Sequence, residues 1–116
     1  MLFRSAALAA YNQVLNLTPT NATALTQVGW LDYSAGSSSR NETLVALGIH
    51  DLRQAIASAP TNPAPRLYYA IVAFNTPRDE ALARQLFTTF LALGPTKAQL
   101  ALAAPYLAKL GLVPQG

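Results

Sequence analysis

His50 is the only histidine in the chain, and it stands beside Asp51 in a segment with helical periodicity. A histidine acts as a general acid, a general base or a metal ligand only when other ionisable or ligating side chains converge on it. The sequence offers no second histidine, no cysteine and no suitably spaced acidic pair. We therefore expect no catalytic residue and no metal ligand at this position.

The remaining polar residues do not form a recognisable catalytic set either. Asp79 and Glu80 are adjacent, so on a helix they point in different directions and suit a first turn better than paired-carboxylate catalysis. The serines of residues 37–39 have no base nearby in the sequence. A glycine-rich phosphate loop is also missing from the sequence. We predict a protein that is not an enzyme and that needs no cofactor.

Composition limits the classes of partner. The 116 residues are 52% hydrophobic and only 11% charged, whereas roughly 25% charged residues is usual for soluble domains. The formal charge of +3 comes from scattered lysines and arginines, with no basic run that would displace counterions from phosphates. No stretch reaches the roughly 18 apolar residues that a membrane-spanning helix needs. We expect one domain, residues 1–116, that binds no nucleic acid and does not insert into a membrane.

An internal repeat is the strongest pattern in the sequence. Segments 11–19, 52–60 and 87–95 each begin with a large apolar residue, have apolar residues three and four positions later, and end in proline. Apolar residues at this spacing form one buried stripe of a helix, and proline cannot continue a helix interior. Each segment therefore predicts a helix that stops just before its proline.

A second helical pattern follows each proline after a short polar turn. The sequence thus predicts an all-α protein with six helices, at about 3–17, 22–35, 41–58, 63–75, 78–93 and 97–110. The Ser/Gly segment 34–41 is predicted as a loop, with Asn41 or Ser39 capping the next helix. Thr76 is predicted to cap the fifth helix, with Pro77 in its first turn. Gly29 is expected to let neighbouring helices approach closely, and Pro105 to kink the last helix.

The chain resembles the tetratricopeptide repeat family, whose unit is a helix-turn-helix pair of about 34 residues. That likeness covers nearly the whole chain, and it implies a right-handed superhelix of antiparallel helix pairs, about two and a half repeats closed by a C-terminal capping helix. A narrower likeness is to repeat proteins of bacterial cytochrome c biogenesis. The residues that carry the family pattern are Ala7, Tyr11, Val14, Pro19, Leu25, Val28, Gly29, Gly48, Leu52, Ala55, Pro60, Ala83, Phe87 and Pro95.

In this family the first helix of each pair lines a concave surface, so the resemblance implies an apolar groove for a partner peptide or helix. Aromatic residues are favoured there because they bury large areas with few rotatable bonds. An equally weighted alternative is that several of these side chains belong to the core, as aromatic residues at helical spacing usually do. The implied groove residues are Thr26, Trp30, Tyr33, Leu67, Ile71, Phe74 and Tyr106.

Two functions follow as hypotheses. The first is a protein-protein interaction scaffold, which the narrower likeness would place in bacterial envelope assembly or cytochrome c biogenesis. The second is a self-association module, because the first repeat lacks its leading helix and would leave an apolar face for a second copy of the chain. The missing helix also leads us to expect a C-terminal fragment of a longer protein, with residues 2–5 resembling a translated cloning adaptor. The compartment stays open: cytoplasm, or the outer face of the membrane if an anchor lies upstream.

Overall fold

The computed structural model of the chain describes residues 2–76 and 78–112, with the side chains of residues 2–5 left out of that description. In these residues all regular secondary structure is helical, which confirms the predicted all-α class. The helices are α1 (Leu2–Leu17), α2 (Ala22–Ser39), α3 (Glu42–Ser58), α4 (Pro63–Asn75), α5 (Glu80–Ala92) and α6 (Lys97–Leu110).

Short polar side chains define where most of the helices begin. Asn21, Asn41 and Asn62 precede α2, α3 and α4, and each side-chain oxygen accepts a hydrogen bond from a backbone N–H of the first turn. Such caps satisfy amide groups that have no partner inside the helix. At α6 the cap is reciprocal, because Thr96 accepts from the Gln99 N–H at 3.1 Å while Gln99 Oε1 accepts from the Thr96 N–H at 2.9 Å.

The chain, predicted as one domain, divides into two compact units. Unit 1 comprises residues Met1–Pro60, in which α2 packs against both α1 and α3. Unit 2 comprises residues Thr61–Gly116, in which α4 packs against α5, and α6 contacts both. Each unit has buried apolar side chains of its own. The last helix, α6, thus packs on the two helices before it.

Glycine brings the backbones of α2 and α3 into direct contact. A Cβ added at Gly48 would lie 2.5 Å from the carbonyl oxygen of Gly29 and 2.7 Å from the backbone nitrogen of Tyr33. A Cβ added at Gly29 would lie 2.9 Å from the Gly48 carbonyl oxygen. Real carbon atoms do not approach so closely, so only glycine fits at either position. The predicted close approach at Gly29 is confirmed.

The predicted loop at residues 34–41 is wrong. Helix α2 continues through the serines to Ser39, and only Arg40 and the cap residue Asn41 separate it from α3. Gly36 explains this, since a Cβ there would lie 2.6 Å from the Val45 backbone nitrogen, so the glycine packs the end of α2 against the start of α3. The Ser39 hydroxyl donates to the Ala35 carbonyl within the helix, at 2.7 Å. Of the two predicted caps, Asn41 is the one observed.

The predicted cap of the fifth helix is also wrong. Thr76 closes α4, and α5 is capped instead by Asp79, whose carboxylate accepts from the Leu82 N–H at 3.1 Å. Between them the chain turns through Arg78, which has a left-handed φ of 67°. The Asp79 N–H then donates back to the Ala73 carbonyl at 2.7 Å, so the turn satisfies the end of α4 before α5 begins. Pro77, predicted in the first turn, lies outside the described residues.

Candidate functional site

The three predicted groove residues of unit 1 lie along α2. Thr26 and Tyr33 are buried, and Trp30 is half-buried. The Thr26 hydroxyl donates to the Ala22 carbonyl of its own helix at 2.6 Å. The rings of Trp30 and Tyr33 are in contact, with centroids 5.5 Å apart. Trp30 is therefore the member of this group that offers surface to a partner while being held by a neighbouring ring.

The four predicted groove residues of unit 2 lie on α4 and α6. Leu67, Ile71 and Phe74 are buried, and Tyr106 is half-buried. Phe74 and Tyr106 meet edge to face, with centroids 5.5 Å apart. The structure thus brings these two predicted residues together across the contact of α4 and α6.

The buried groove candidates fill the cores of their own units, as the alternative interpretation of the pattern describes. Their side chains contribute little surface for a partner in the described conformation. Trp30 and Tyr106 are the two that keep a share of exposed aromatic surface. A binding role for any of the set stays a prediction.

Unit 2 has an aromatic cluster that extends beyond the predicted residues. Phe87 stacks on Tyr106 with centroids 6.1 Å apart, and Phe90 contacts Phe87 at 6.3 Å. Both phenylalanines of α5 are fully buried. The ring of Tyr106 therefore lies between Phe74 of α4 and Phe87 of α5, which fixes the phenol against two helices.

Two cations contact the ring of Phe74 in the same unit. The Arg78 guanidinium carbon lies 5.2 Å from the ring centroid, and Lys109 Nζ lies 5.8 Å from it. Both distances are within the range of a cation–π interaction. Sequence reasoning missed this arrangement, although Arg78 follows Phe74 by one helical turn and Lys109 follows Tyr106 by three residues. Those spacings were the sequence signal from which a contact between a cation and an aromatic ring could have been predicted.

His50 lies exposed on α3, where its Nε2 is 3.4 Å from Gln54 Nε2. A concavity of about 350 Å³ is lined on this helix by His50, Arg53, Gln54 and Ala57. Within the described part of the chain, no three histidine or acidic side chains come together in a way that could hold a metal ion. The histidine is thus placed on a polar helix face beside one arginine.

Asp51 lies on α3 in unit 1 and is half-buried. Burial raises the pKa of its carboxyl above the ordinary range, and the charge of Asp32 on α2 raises it further. The positive charge of His50 lowers this pKa in part. The two aspartates therefore place like charges near the glycine contact of α2 and α3.

Large apolar side chains are also exposed in both units. Leu17, at the end of α1, is 87% exposed, and Val14 and Leu47 of the same unit are partly exposed. In unit 2, Leu102 of α6 is half-exposed. Single exposed apolar residues are common in proteins, but a leucine this open at a helix end is a candidate contact for a partner.

The chain matches no protein-family model, no curated protein and no solved structure. Across residues 2–76 and 78–112, no helix combines the length and the apolar content needed to cross a bilayer. Any statement about function therefore depends on the repeat pattern and on the surfaces described above.

Proposed function

We propose that this chain is a tetratricopeptide-like interaction scaffold that holds a segment of a partner protein and performs no catalysis of its own. The proposal extends the observed all-helical architecture to a specific repeat and a specific role. It is supported by the packing of consecutive helices within each unit and by the prolines that follow α1, α3 and α5.

One observation carries the proposal: corresponding positions of two proline-terminated segments are both fully buried. Leu52 on α3 and Phe87 on α5 both lie eight residues before a helix-ending proline, and both are fully buried. Ala55 and Phe90 lie five residues before the same prolines and are fully buried as well. Both helices thus bury the same sequence positions, as two copies of one repeat would.

In each unit, a partner segment would be held by an aromatic side chain that keeps exposed surface. Trp30 and Tyr106 are half-buried and each is braced by another ring, so a ligand would meet rigid aromatic surface at small cost in side-chain entropy. Such anchors dominate binding energy at protein interfaces. The absence of a second histidine and of cysteine from the sequence supports the non-catalytic half of the proposal.

The test is selection of peptides from a displayed random library on the immobilised chain. Selected peptides should bind with micromolar or better affinity, and Trp30→Ala or Tyr106→Ala should weaken binding about tenfold or more, as loss of an interface anchor does. Leu102→Ala, at an exposed aliphatic position of α6, is the control. Far-UV circular dichroism must match the parent chain. A library that yields no specific binder rejects the scaffold.

Self-association is a second candidate, favoured by the exposure of Leu17, Val14 and Leu47 in unit 1. Burying such side chains against a second copy would contribute about 25 cal/mol per Å² of apolar area. Sedimentation velocity over a wide concentration range would show a rising mass that Leu17→Ser and Leu47→Ser together suppress. A sedimentation coefficient that does not change with concentration excludes this role.

A further inference from the structure

We propose that Arg78 and Lys109, set over the ring of Phe74, form a docking point for an acidic segment of the partner protein. This inference rests on the proposed scaffold function and specifies the chemistry of its partner. Carboxylate side chains of the segment would bind the two cations, and its apolar groups would lie against the neighbouring aromatic surface.

The two cations come from different elements and converge on one ring. Arg78 lies in the connection between α4 and α5, and Lys109 lies in the last turn of α6. Their charged groups are 5.2 Å and 5.8 Å from the centroid of the Phe74 ring, and both residues are exposed. The Phe74 ring is buried, so its position is set by the fold, and the two charged groups lie close to it at the surface.

The backbone at Arg78 adds a second, independent observation. Its φ of 67° is left-handed, a conformation that favours glycine and costs free energy for a residue with a Cβ. The turn is closed by the Asp79 N–H, which donates to the Ala73 carbonyl at 2.7 Å. The left-handed turn therefore holds the backbone of Arg78 in a defined conformation beside the Phe74 ring.

The charges of this unit are not balanced internally. The acidic residues of unit 1 equal its arginines in number, so the formal net charge of +3 belongs to residues 61–116. Among the described residues, no carboxylate lies within ion-pair distance of Arg78 or Lys109. Asp79 is engaged at the cap of α5. The two cations are therefore available to carboxylates from another molecule.

A phosphate-bearing partner fits less well than an acidic peptide. Binding to nucleic acid or to an anionic membrane surface draws on stripes or clusters of many cations. Among the described residues, two cations contact the Phe74 ring, and Asp79 and Glu80 follow Arg78 immediately in the sequence. A third basic side chain, Arg84, donates to the Leu110 carbonyl and so secures α5 to the end of α6. The site thus matches a short segment with a few carboxylates.

The experiment measures fluorescence anisotropy of a labelled peptide composed of glutamate, phenylalanine and glycine, against the same peptide with glutamine in place of glutamate. The wild-type chain should bind the glutamate peptide more tightly, and added salt should reduce the difference. The double variant Arg78→Gly and Lys109→Gln should weaken binding about tenfold, which corresponds to roughly 1.4 kcal/mol. Glycine suits the left-handed turn, so the unfolding midpoint should stay unchanged or rise.

Matched controls exist in both units. Arg40→Gly removes an exposed arginine from a second left-handed position, with φ 57°, and Lys97→Gln removes the exposed cation that begins α6. Neither should change the affinity. Equal binding of the two peptides, equal loss in the controls, or tighter Arg78-dependent binding of heparin or phosphatidylglycerol vesicles would overturn the inference. Those results would leave library-selected binders, and with them the scaffold, intact.

Discussion

Both units contain packed helix pairs, but the residues at the helix contacts are small in unit 1 and large in unit 2. In unit 1, the backbones of α2 and α3 approach closely at Gly29, Gly36 and Gly48, where no Cβ holds the helices apart. In unit 2, α4, α5 and α6 are joined by large rings, among them Phe74, Phe87 and Tyr106. The same apolar spacing in the sequence thus occurs with two kinds of helix–helix contact.

This difference determines which changes each unit tolerates. A contact made by glycine cannot lose atoms, but it is destabilised by any added atom. A contact made by rings is already filled with side-chain atoms. It is destabilised when a ring is removed and a cavity remains. Unit 1 should therefore be sensitive to small-to-large changes and unit 2 to large-to-small changes.

The largest effect is expected for Phe87→Ala. Its ring is fully buried and contacts both Phe90 and Tyr106, so truncation leaves a cavity and should lower the free energy of unfolding by about 4 kcal/mol. Urea unfolding followed by far-UV circular dichroism measures this change. Phe87→Leu, which keeps most of the volume, should cost much less. A loss under about 1 kcal/mol for the alanine variant would contradict the ring-based packing of unit 2.

The helices themselves could be predicted from local sequence. Asn21, Asn41 and Thr96 each precede a helical pattern, and all three cap a helix in the structure. These signals act over a few residues and need no tertiary information. One failure lies where packing outweighs composition. Residues 34–39 have a loop-like Ser/Gly composition, yet they are helical because Gly36 fits against the start of α3.

The candidate site was harder to predict because periodicity identifies an apolar face without showing what covers it. Leu67, Ile71 and Phe74 recur at helical spacing, and the same spacing describes a groove and a core. The ring of Phe74, for example, is buried against Tyr106, which lies far away in the sequence. The cations over Phe74 were missed for a similar reason, since Lys109 reaches that ring only through the packing of α6.

Gly48→Ala tests the other side of the comparison. Its new Cβ would lie 2.5 Å from the Gly29 carbonyl oxygen, so α2 and α3 must move apart, at a cost of about 2 kcal/mol after the higher helix propensity of alanine is counted. Fluorescence of Trp30, the only tryptophan, follows unfolding of this unit. Gly94→Ala in unit 2, followed by far-UV circular dichroism, is a control without steric conflict in which only the φ of 73° opposes the change. Full stability of Gly48→Ala would contradict the glycine contact.

Helix caps should matter equally in both units, because a cap acts within its own first turn. Asn41→Ala in unit 1 and Thr96→Ala in unit 2 should each lower the free energy of unfolding by about 1 kcal/mol. Asn41→Asp and Thr96→Ser keep an accepting oxygen and should restore most of the loss. Urea midpoints of the four variants provide the comparison. A cost confined to one unit would show that capping depends on the packing around the helix.

The smallest effect is expected at Asp51, and its sign can be derived. Burial and the charge of Asp32 raise the pKa of the Asp51 carboxyl in the folded protein, and His50 opposes them only in part. The folded state therefore holds this proton more tightly than the unfolded state, so ionisation of Asp51 weakens folding as the pH rises from the ordinary aspartate pKa through the raised pKa. Asp51→Asn should increase the thermal midpoint slightly at about pH 7, and the gain should vanish as the pH falls to about 3.9, the ordinary aspartate pKa. Glu42→Gln, at an exposed position of the same helix, should show no such pH-dependent gain. A destabilised Asp51→Asn at neutral pH would instead show that the carboxylate stabilises the contact of α2 and α3.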